Sequence, residues 1–494
     1  MECVERLQKL QLENARIVEV TREDLREVDF GEYQLDTLLK FCRIKIEARP
    51  SEDSLILSEL WLPDEWNGIF VGTGNGGLGG GIYYRSLCRY LHLGYATANT
   101  NLGTSEGHSC GIGRPEIWKD YGWRATHLMA VNSKKIIEAY YGKKADYSYF
   151  IGESTGGQQA NMTAQRFPED YDGIFAGVPA QNRTHLHVMG LWMTLHLRGK
   201  DGNGVFSKEE IAKIHDCAVD FFQARGDGQK GDLFVSFPYT DENTVEDFLS
   251  YLRKHCPEIS EEQLVVLQKV YQGPVDPVTG KQIYCGIPIG SEVGCNSVLY
   301  YQKGELKNYI IEWALGKEFD LSKFDFHDDV KKLDETLAKD INANNPDLSA
   351  FRDHGGVMLI SPGSSDPDVA FPDALRYYES VLDRMGGYEE VSKFCRFFLC
   401  PGKDHNICGR GATAWWGNTT DRFNVLDVLR AWREKGIAPE KLFAVRYGEQ
   451  EWWVEIDWIR EVYPYGSKQS PRRPYPPSTD ESFLIGEWDA TKTK

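Results

Sequence analysis

The sequence predicts an α/β fold, with a mostly parallel central sheet covered by helices on both faces and interrupted by a large helical insertion. Three observations lead there. Short apolar runs alternate with helix-periodic segments through the first third of the chain; the composition turns helical and charged between Ala180 and about Ser349; strand-like runs then resume at Gly355. With 494 residues, 41% hydrophobic and 12% aromatic, there is ample material for a large core. The expected division is a first core part at 1–180, an insertion at 181–345 and a second core part at 346–494.

In chain order, Cys42 to Ala48 and Ser54 to Leu62 interleave β-branched and apolar residues with polar ones, as half-buried strands do. Gly68 to Gly72 is a short buried-strand run that ends in Gly74-Asn75-Gly76-Gly77. A helical stretch containing Leu87 and Leu91 leads to a strand at Tyr95 to Asn99. Leu128 to Tyr141 has helical periodicity and stops at Gly142, where a capping glycine belongs. Tyr147 to Ile151 is an apolar-aromatic strand running into Gly152-Glu153-Ser154-Thr155-Gly156-Gly157; Gln158 to Arg166 is helical, and Phe167-Pro168 breaks it. Beyond the insertion come a strand at Gly355 to Ser361, a helix at Ala374 to Arg384, a strand at Phe394 to Cys400 and a helix at Val425 to Lys435. A proline-rich tail, Pro471 to Pro477, follows as a surface wrap or loose end.

Composition excludes several classes of function. Lys and Arg total 56 against 74 Asp and Glu, a net charge of −18, so the surface repels a phosphate backbone and nucleic acid is not an expected partner. No apolar run approaches the about 20 residues of a spanning helix, so no membrane partner is expected. Met1 to Phe30 lacks a basic region followed by an apolar one, which points to a cytoplasmic protein. Eleven cysteines without a C-x-x-C pair indicate neither a zinc cluster nor a complete disulfide framework. Neither a heptad repeat nor an apolar edge marks an oligomer interface.

The pattern G-x-S-x-G occurs at Gly103 to Gly107 and at Gly152 to Gly156. A nucleophile on a tight turn needs a strand that delivers it and a helix whose amides point at developing negative charge. Ser154 has both flanks, whereas Ser105 is followed by His108, Cys110, Gly111, Gly113 and Pro115. The partners are expected in the order serine, acid, histidine, each beyond the C-terminal end of a strand. Asp366, after the strand ending at Ser361, and His405, after the strand ending at Cys400, satisfy that order; Asp368 is the nearest rival acid. The Gly74 to Gly77 loop ends an earlier strand, where a second oxyanion donor belongs, so the amides of Thr155 and of Gly76 or Gly77 are the expected donors. A flexible turn or a phosphate loop would use similar glycines, but no ribose-binding acid follows Gly72-x-Gly74-x-x-Gly77 convincingly.

Taken together, these residues resemble the tannase and feruloyl esterase family of α/β-hydrolases. The likeness runs through Leu62-Pro63-Asp64-Glu65-Trp66-Asn67-Gly68 with Gly74 to Gly77, Gly152 to Gln159, and Phe167-Pro168-Glu169-Asp170-Tyr171-Asp172-Gly173. It continues through Val270 to Pro274, Gly290-Ser291-Glu292, Asn345 to Leu348 and Trp432 to Pro439. The resemblance implies a serine esterase with Ser154, Asp366 and His405 as its triad. It also implies a lid at about 181–345 and small-molecule esters with an aromatic acyl group, galloyl or hydroxycinnamoyl, as substrates. An acyltransferase, another esterase or a non-catalytic binding protein on the same scaffold is the alternative. Trp192, Tyr239, Tyr271 and Tyr284 are the lid aromatics expected as possible walls of the substrate pocket, against the plainer reading of lid core.

Two departures from the family pattern matter. The family has a cysteine before the serine and another after the histidine, bridged beside the active site; this chain has Glu153 and Asn406 there, and a hydrogen bond between them is the expected substitute. The family's lid often carries a calcium loop; the corresponding Asp227-Gly228-Gln229-Lys230-Gly231-Asp232 offers only Asp227 and Asp232 as carboxylates, far from six to eight oxygen ligands. No cofactor is expected. His185 and His187 alone make no metal site.

Overall fold

The computed structural model describes residues 7, 9–24, 39–199, 203–239, 243–294, 297–303, 306–416, 425–448 and 456–472. Strands β1 (Ala15–Asp24), β2 (Lys40–Ala48) and β3 (Ile56–Pro63) form an antiparallel run. After them come β4 (Ile69–Thr73), helix α1 (Tyr84–Leu91), β5 (Ala96–Thr100), α2 (Ala125–Tyr141), β6 (Tyr147–Glu153), α3 (Thr155–Arg166) and β7 (Gly173–Gly177). The stretch between β7 and β8 contributes α4 (Arg183–Leu197), α5 (Lys208–Gln223), α6 (Thr244–His255), α7 (Glu261–Gln272) and α8 (Tyr309–Leu315). The chain then returns to the sheet with β8 (Val357–Ser361), α9 (Phe371–Met385) and β9 (Cys395–Phe397). Last come β10 (Ala414–Trp416), α10 (Val425–Lys435), β11 (Leu442–Tyr447) and β12 (Ile456–Val462).

The main sheet has nine strands in the order β1-β2-β3-β5-β4-β6-β7-β8-β9, and every pairing from β5 to β9 is parallel. Strands β4, β7 and β8 are buried along their whole length, as expected where helices cover both faces. One face packs Met129, Ile136, Ile137, Leu375, Tyr378 and Leu382 from α2 and α9 against Phe70, Phe150, Ile174 and Ile360. The opposite face packs Leu426, Leu429 and Trp432 of α10 on Val71, Tyr149, Phe175 and Leu359. Each such large side chain contributes about 1.5–3 kcal/mol through removal from water. This is the mostly parallel, doubly covered sheet that the alternating pattern predicts, and the α/β-hydrolase fold that the resemblance implies.

Local signals explain where elements stop and start. Helix α2 ends at Gly142, whose φ of 75° is left-handed. Ser207 and Ser260 each close a capping box with Glu210 and Gln263, opening α5 and α7. The helices between β7 and β8 bury a core of their own, with Phe221, Phe248, Leu252, Leu264 and Leu267 at its centre.

Two parts of the fold lie outside the sequence expectations. Strand β1 lies on the sheet edge with no fully buried side chain; Ala15, Ile17 and Val20 pack partly against the core, but a register shift between Ile17 and Glu19 breaks the alternation that would announce it. Strands β10, β11 and β12 form a small antiparallel sheet whose members are three, six and seven residues long. Most of the proline-rich tail, residues 473–477, lies outside the described residues. Arg472, in the described start of the tail, pairs with Glu379 on α9. Cys408 is disulfide-bonded, a bond that persists in oxidising compartments, whereas Cys42, Cys88, Cys110, Cys217, Cys256, Cys285, Cys395 and Cys400 are thiols. Among the described residues no helix is long and apolar enough to cross a membrane.

Candidate active site

Ser154 sits between the end of β6 and the first residue of α3, with φ 61° and ψ −118°. A left-handed conformation at a serine is strained, and the surrounding contacts hold it there. A Cβ on Gly152 would come within 2.2 Å of Gly156 O, and one on Gly74 within 2.4 Å of Gly156 Cα. Only glycine permits these approaches, so the elbow is locked between the β4 loop and α3. Gly156 N–H donates to Asn75 O at 2.7 Å, and Asn75 N–H donates to Gln159 Oε1 at 2.9 Å, stitching the two segments together.

Asp366 and His405 reach the same place from the loops after β8 and β9. His405 Nε2 is 3.0 Å from Ser154 Oγ, and His405 Nδ1 is 2.8 Å from Asp366 Oδ2. The other Asp366 oxygen accepts the backbone N–H groups of Asp368 and Val369 at 2.9 and 2.8 Å, which fixes the carboxylate. The rival Asp368 lies on the opposite side of the ring: its Oδ2 is 3.7 Å from His405 Nε2, and its Oδ1 accepts the Tyr301 hydroxyl at 2.7 Å. Burial disfavours the charged imidazole, but the charge and hydrogen bond of Asp366, reinforced by the Asp368 charge, outweigh it. The ring is therefore held up at about 9 instead of 6.5, with Lys403 opposing. Ser105 precedes the short 3-10 helix His108–Gly111 and does not line the cavity.

The Gly74 to Gly77 loop closes the other side of Ser154. Its carbonyls are occupied: Gly76 O accepts the Tyr83 hydroxyl, and Gly77 O accepts Thr155 Oγ1 at 2.7 Å and the Tyr121 hydroxyl at 3.1 Å. The N–H groups of Gly76, Gly77 and Thr155 have no acceptor among the described residues. Donors held rigidly by bonds to their neighbours and left without acceptors suit a developing oxyanion.

Above Ser154 opens a cavity of about 970 Å³. Core residues Ser154, Glu153, His405, Asn406 and Asp368 line it from below. Arg183, His187, Tyr300, Tyr301 and Tyr309 of the helical insertion line it from above. The four aromatics expected as walls are elsewhere. Trp192 Nε1–H donates to Lys269 O and its ring packs on Phe326. The Tyr271 hydroxyl donates to buried Glu292. Tyr284 is 2% exposed in the insertion's core, and Tyr239 lines a separate hollow beside Asp227. Trp192 and Tyr271 lie on helices, where apolar spacing does not distinguish a core face from a cavity face, and Tyr239 and Tyr284 lie on loops, which carry no such periodicity.

The expected hydrogen bond between Glu153 and Asn406 is absent among the described residues. Glu153 packs its side chain over Gly177, while Asn406 O accepts the Lys403 ammonium at 3.1 Å. The two therefore share the cavity wall without tying the serine and histidine loops together. Nor does the 227–232 stretch fit a calcium ion. Asp227 accepts the amides of Ser236 and Phe237 at 2.7 and 2.8 Å, and Asp232 forms a forked pair with Arg460, Nη1 to Oδ2 being 2.6 Å. His185 is engaged by Ile283 O and Asp334, and His187 by Asn308. Among the described residues no group of three His, Cys, Asp or Glu side chains is placed to hold a metal.

Sequence reasoning passed over Arg183, which leaves the C-terminal edge of the sheet just after β7, where ligands of open α/β sheets bind. That placement was the available signal. The Arg183 side chain is 3% exposed and its Nη2 donates to Thr155 Oγ1 at 2.8 Å.

Known proteins place this architecture. The family model for tannase and feruloyl esterase matches residues 42–469. An uncharacterized esterase of Xanthomonas campestris pv. campestris is 31% identical over 462 residues, which cover 84% of this chain and 79% of that protein. A probable feruloyl esterase B-2 of Aspergillus fumigatus is 30% identical over 426 residues, covering 82% and 79%. Among solved structures, feruloyl esterase B from Aspergillus oryzae shares the fold with a TM-score of 0.79 at 24% identity, covering 94% of this chain and 96% of that one. A tannin acyl hydrolase from Aspergillus niger does so with a TM-score of 0.74 at 18% identity, covering 94% and 91%. The elbow, the sheet and the sequence match together make this chain a member of the tannase and feruloyl esterase family, whose members are carboxylic-ester hydrolases.

Proposed function

We propose that the protein hydrolyses esters of aromatic acids, hydroxycinnamoyl or galloyl, through an acyl-enzyme on Ser154. The observation that carries this reading is the imidazole of His405 bridging Ser154 Oγ and Asp366. His405 Nε2 takes the serine proton as Oγ attacks the ester carbonyl, and Asp366 holds the tautomer and stabilises the imidazolium. The amides of Thr155 and of Gly76 or Gly77 receive the oxyanion. The alcohol leaves with the proton from His405; a water activated by the same ring then releases the acid.

An aromatic acyl group is supported by the cavity wall of Tyr300, Tyr301, Tyr309 and His187 and by the names of the feruloyl esterase relatives. The insertion, about 181–345, serves as the lid that supplies this wall. The chemistry uses no cofactor. Ser154→Ala is expected to lower kcat at least about a thousandfold on methyl ferulate or methyl gallate while leaving the unfolding free energy within about 1 kcal/mol. Comparison with a short-chain aliphatic ester tests the acyl preference: aromatic esters are expected to give the higher kcat/KM. Full activity in the serine variant would refute the mechanism.

A further inference from the structure

Arg183 carries a charge that the protein itself does not neutralise. It is 3% exposed, lines the cavity above Ser154, and forms no ion pair among the described residues. Its Nη2 donates to Thr155 Oγ1, its guanidinium carbon lies 5.7 Å from the centre of the Tyr121 ring, and its Nε has no hydrogen-bond partner. The residues on either side are matched to carboxylates: Gln181 and Asn182 to Asp373, Thr184 and His185 to Asp334. The carboxylates that line the cavity do not compensate Arg183 either. Asp368 is engaged by Tyr301 and His405, and Glu153 packs over Gly177.

A guanidinium taken out of water without a counter-charge is strongly unfavourable, so its retention calls for a partner that is present only when the cavity is filled. The planar fork suits a carboxylate, which accepts from two parallel N–H donors. Its neighbour His187 adds no second cation, because burial and the Arg183 charge push that ring down to about 3. We propose that Arg183 binds a carboxylate carried by the ester substrate, so that the preferred substrates are aromatic esters bearing a free carboxylate. This deepens the esterase reading above and rests on it.

Two matched pairs test the idea and place the carboxylate. Chlorogenate against its quinic carboxamide varies the charge on the alcohol side; methyl 4-carboxycinnamate against methyl 4-carbamoylcinnamate varies it on the acyl side. The wild-type protein is expected to favour the charged member of at least one pair by about tenfold or more in kcat/KM, chiefly through KM. Arg183→Met is expected to reduce the ratio to within about twofold, and Arg183→Lys to retain part of it. An equal loss on charged and neutral members in Arg183→Met would mean that the guanidinium only supports the Thr155 and Gly77 loop, and would overturn the proposal. So would a wild-type protein that cleaves both members of both pairs equally well, a result that needs no variant. Failure of the wild type to hydrolyse any of the four would instead strike at the esterase reading.

Discussion

His405 stands between two aspartates that act on it differently. Asp366 holds Nδ1 at 2.8 Å, and Asp368 faces Nε2 at 3.7 Å, on the side turned to the Ser154 hydroxyl. The ring works as a base only when neutral, that is, above its own pKa, which is held up at about 9. The acid limb of kcat/KM is therefore expected well above the 6.5 of an ordinary histidine, rising toward pH 9. Asp368→Asn removes one negative charge that favours the imidazolium, so the limb should move to lower pH, while kcat on the alkaline plateau stays within about tenfold. A limb that stays put or moves upward would show that Asp368 does not reach the ring. Chain order and strand placement made Ser154, Asp366 and His405 legible in the sequence. The position of Asp368 across the ring was not, because only Pro367 separates it from Asp366 and only the turn fixed by the Asp368 and Val369 amides shows which way each carboxylate faces.

At the scale of elements, the join between the insertion and the C-terminal sheet is an ion pair where the resemblance suggested a metal loop. Arg460 on β12 forks onto Asp232, whose side chain is 5% exposed. Burial alone would raise that carboxyl, but Arg460 and the Gln229 amide lower it below the usual range. Arg460→Met is expected to reduce stability by about 3 kcal/mol in urea unfolding, because it strands a buried carboxylate. An unchanged midpoint would show that the pair is idle. This contact could not be read from sequence: it joins residues 228 apart, and one partner sits on a strand none of whose side chains is fully buried. The elements around Ser154 were recognisable because each carries a local signature. Gly142 ends α2, the glycines of the elbow allow its close approach to the β4 loop, and Phe167-Pro168 stops α3.

For the whole molecule, parallel order explains why residues 154, 366 and 405 meet. Strands β6, β7, β8 and β9 lie side by side and point the same way, so the loops after β6, β8 and β9 emerge along one edge. The alternation of strands and helices predicted that edge. It did not predict which lid aromatics face the cavity, because burial on one side of a helix looks the same whether protein or substrate lies opposite. At this edge Ser154 is proposed to be activated by His405. Treating the protein with a fluorophosphonate and locating the adduct by peptide mass spectrometry tests it directly. A stoichiometric adduct on Ser154 is expected, absent in Ser154→Ala and at least about a hundredfold slower to form in His405→Ala. An unlabelled Ser154, or labelling at the same rate without the imidazole, would contradict it.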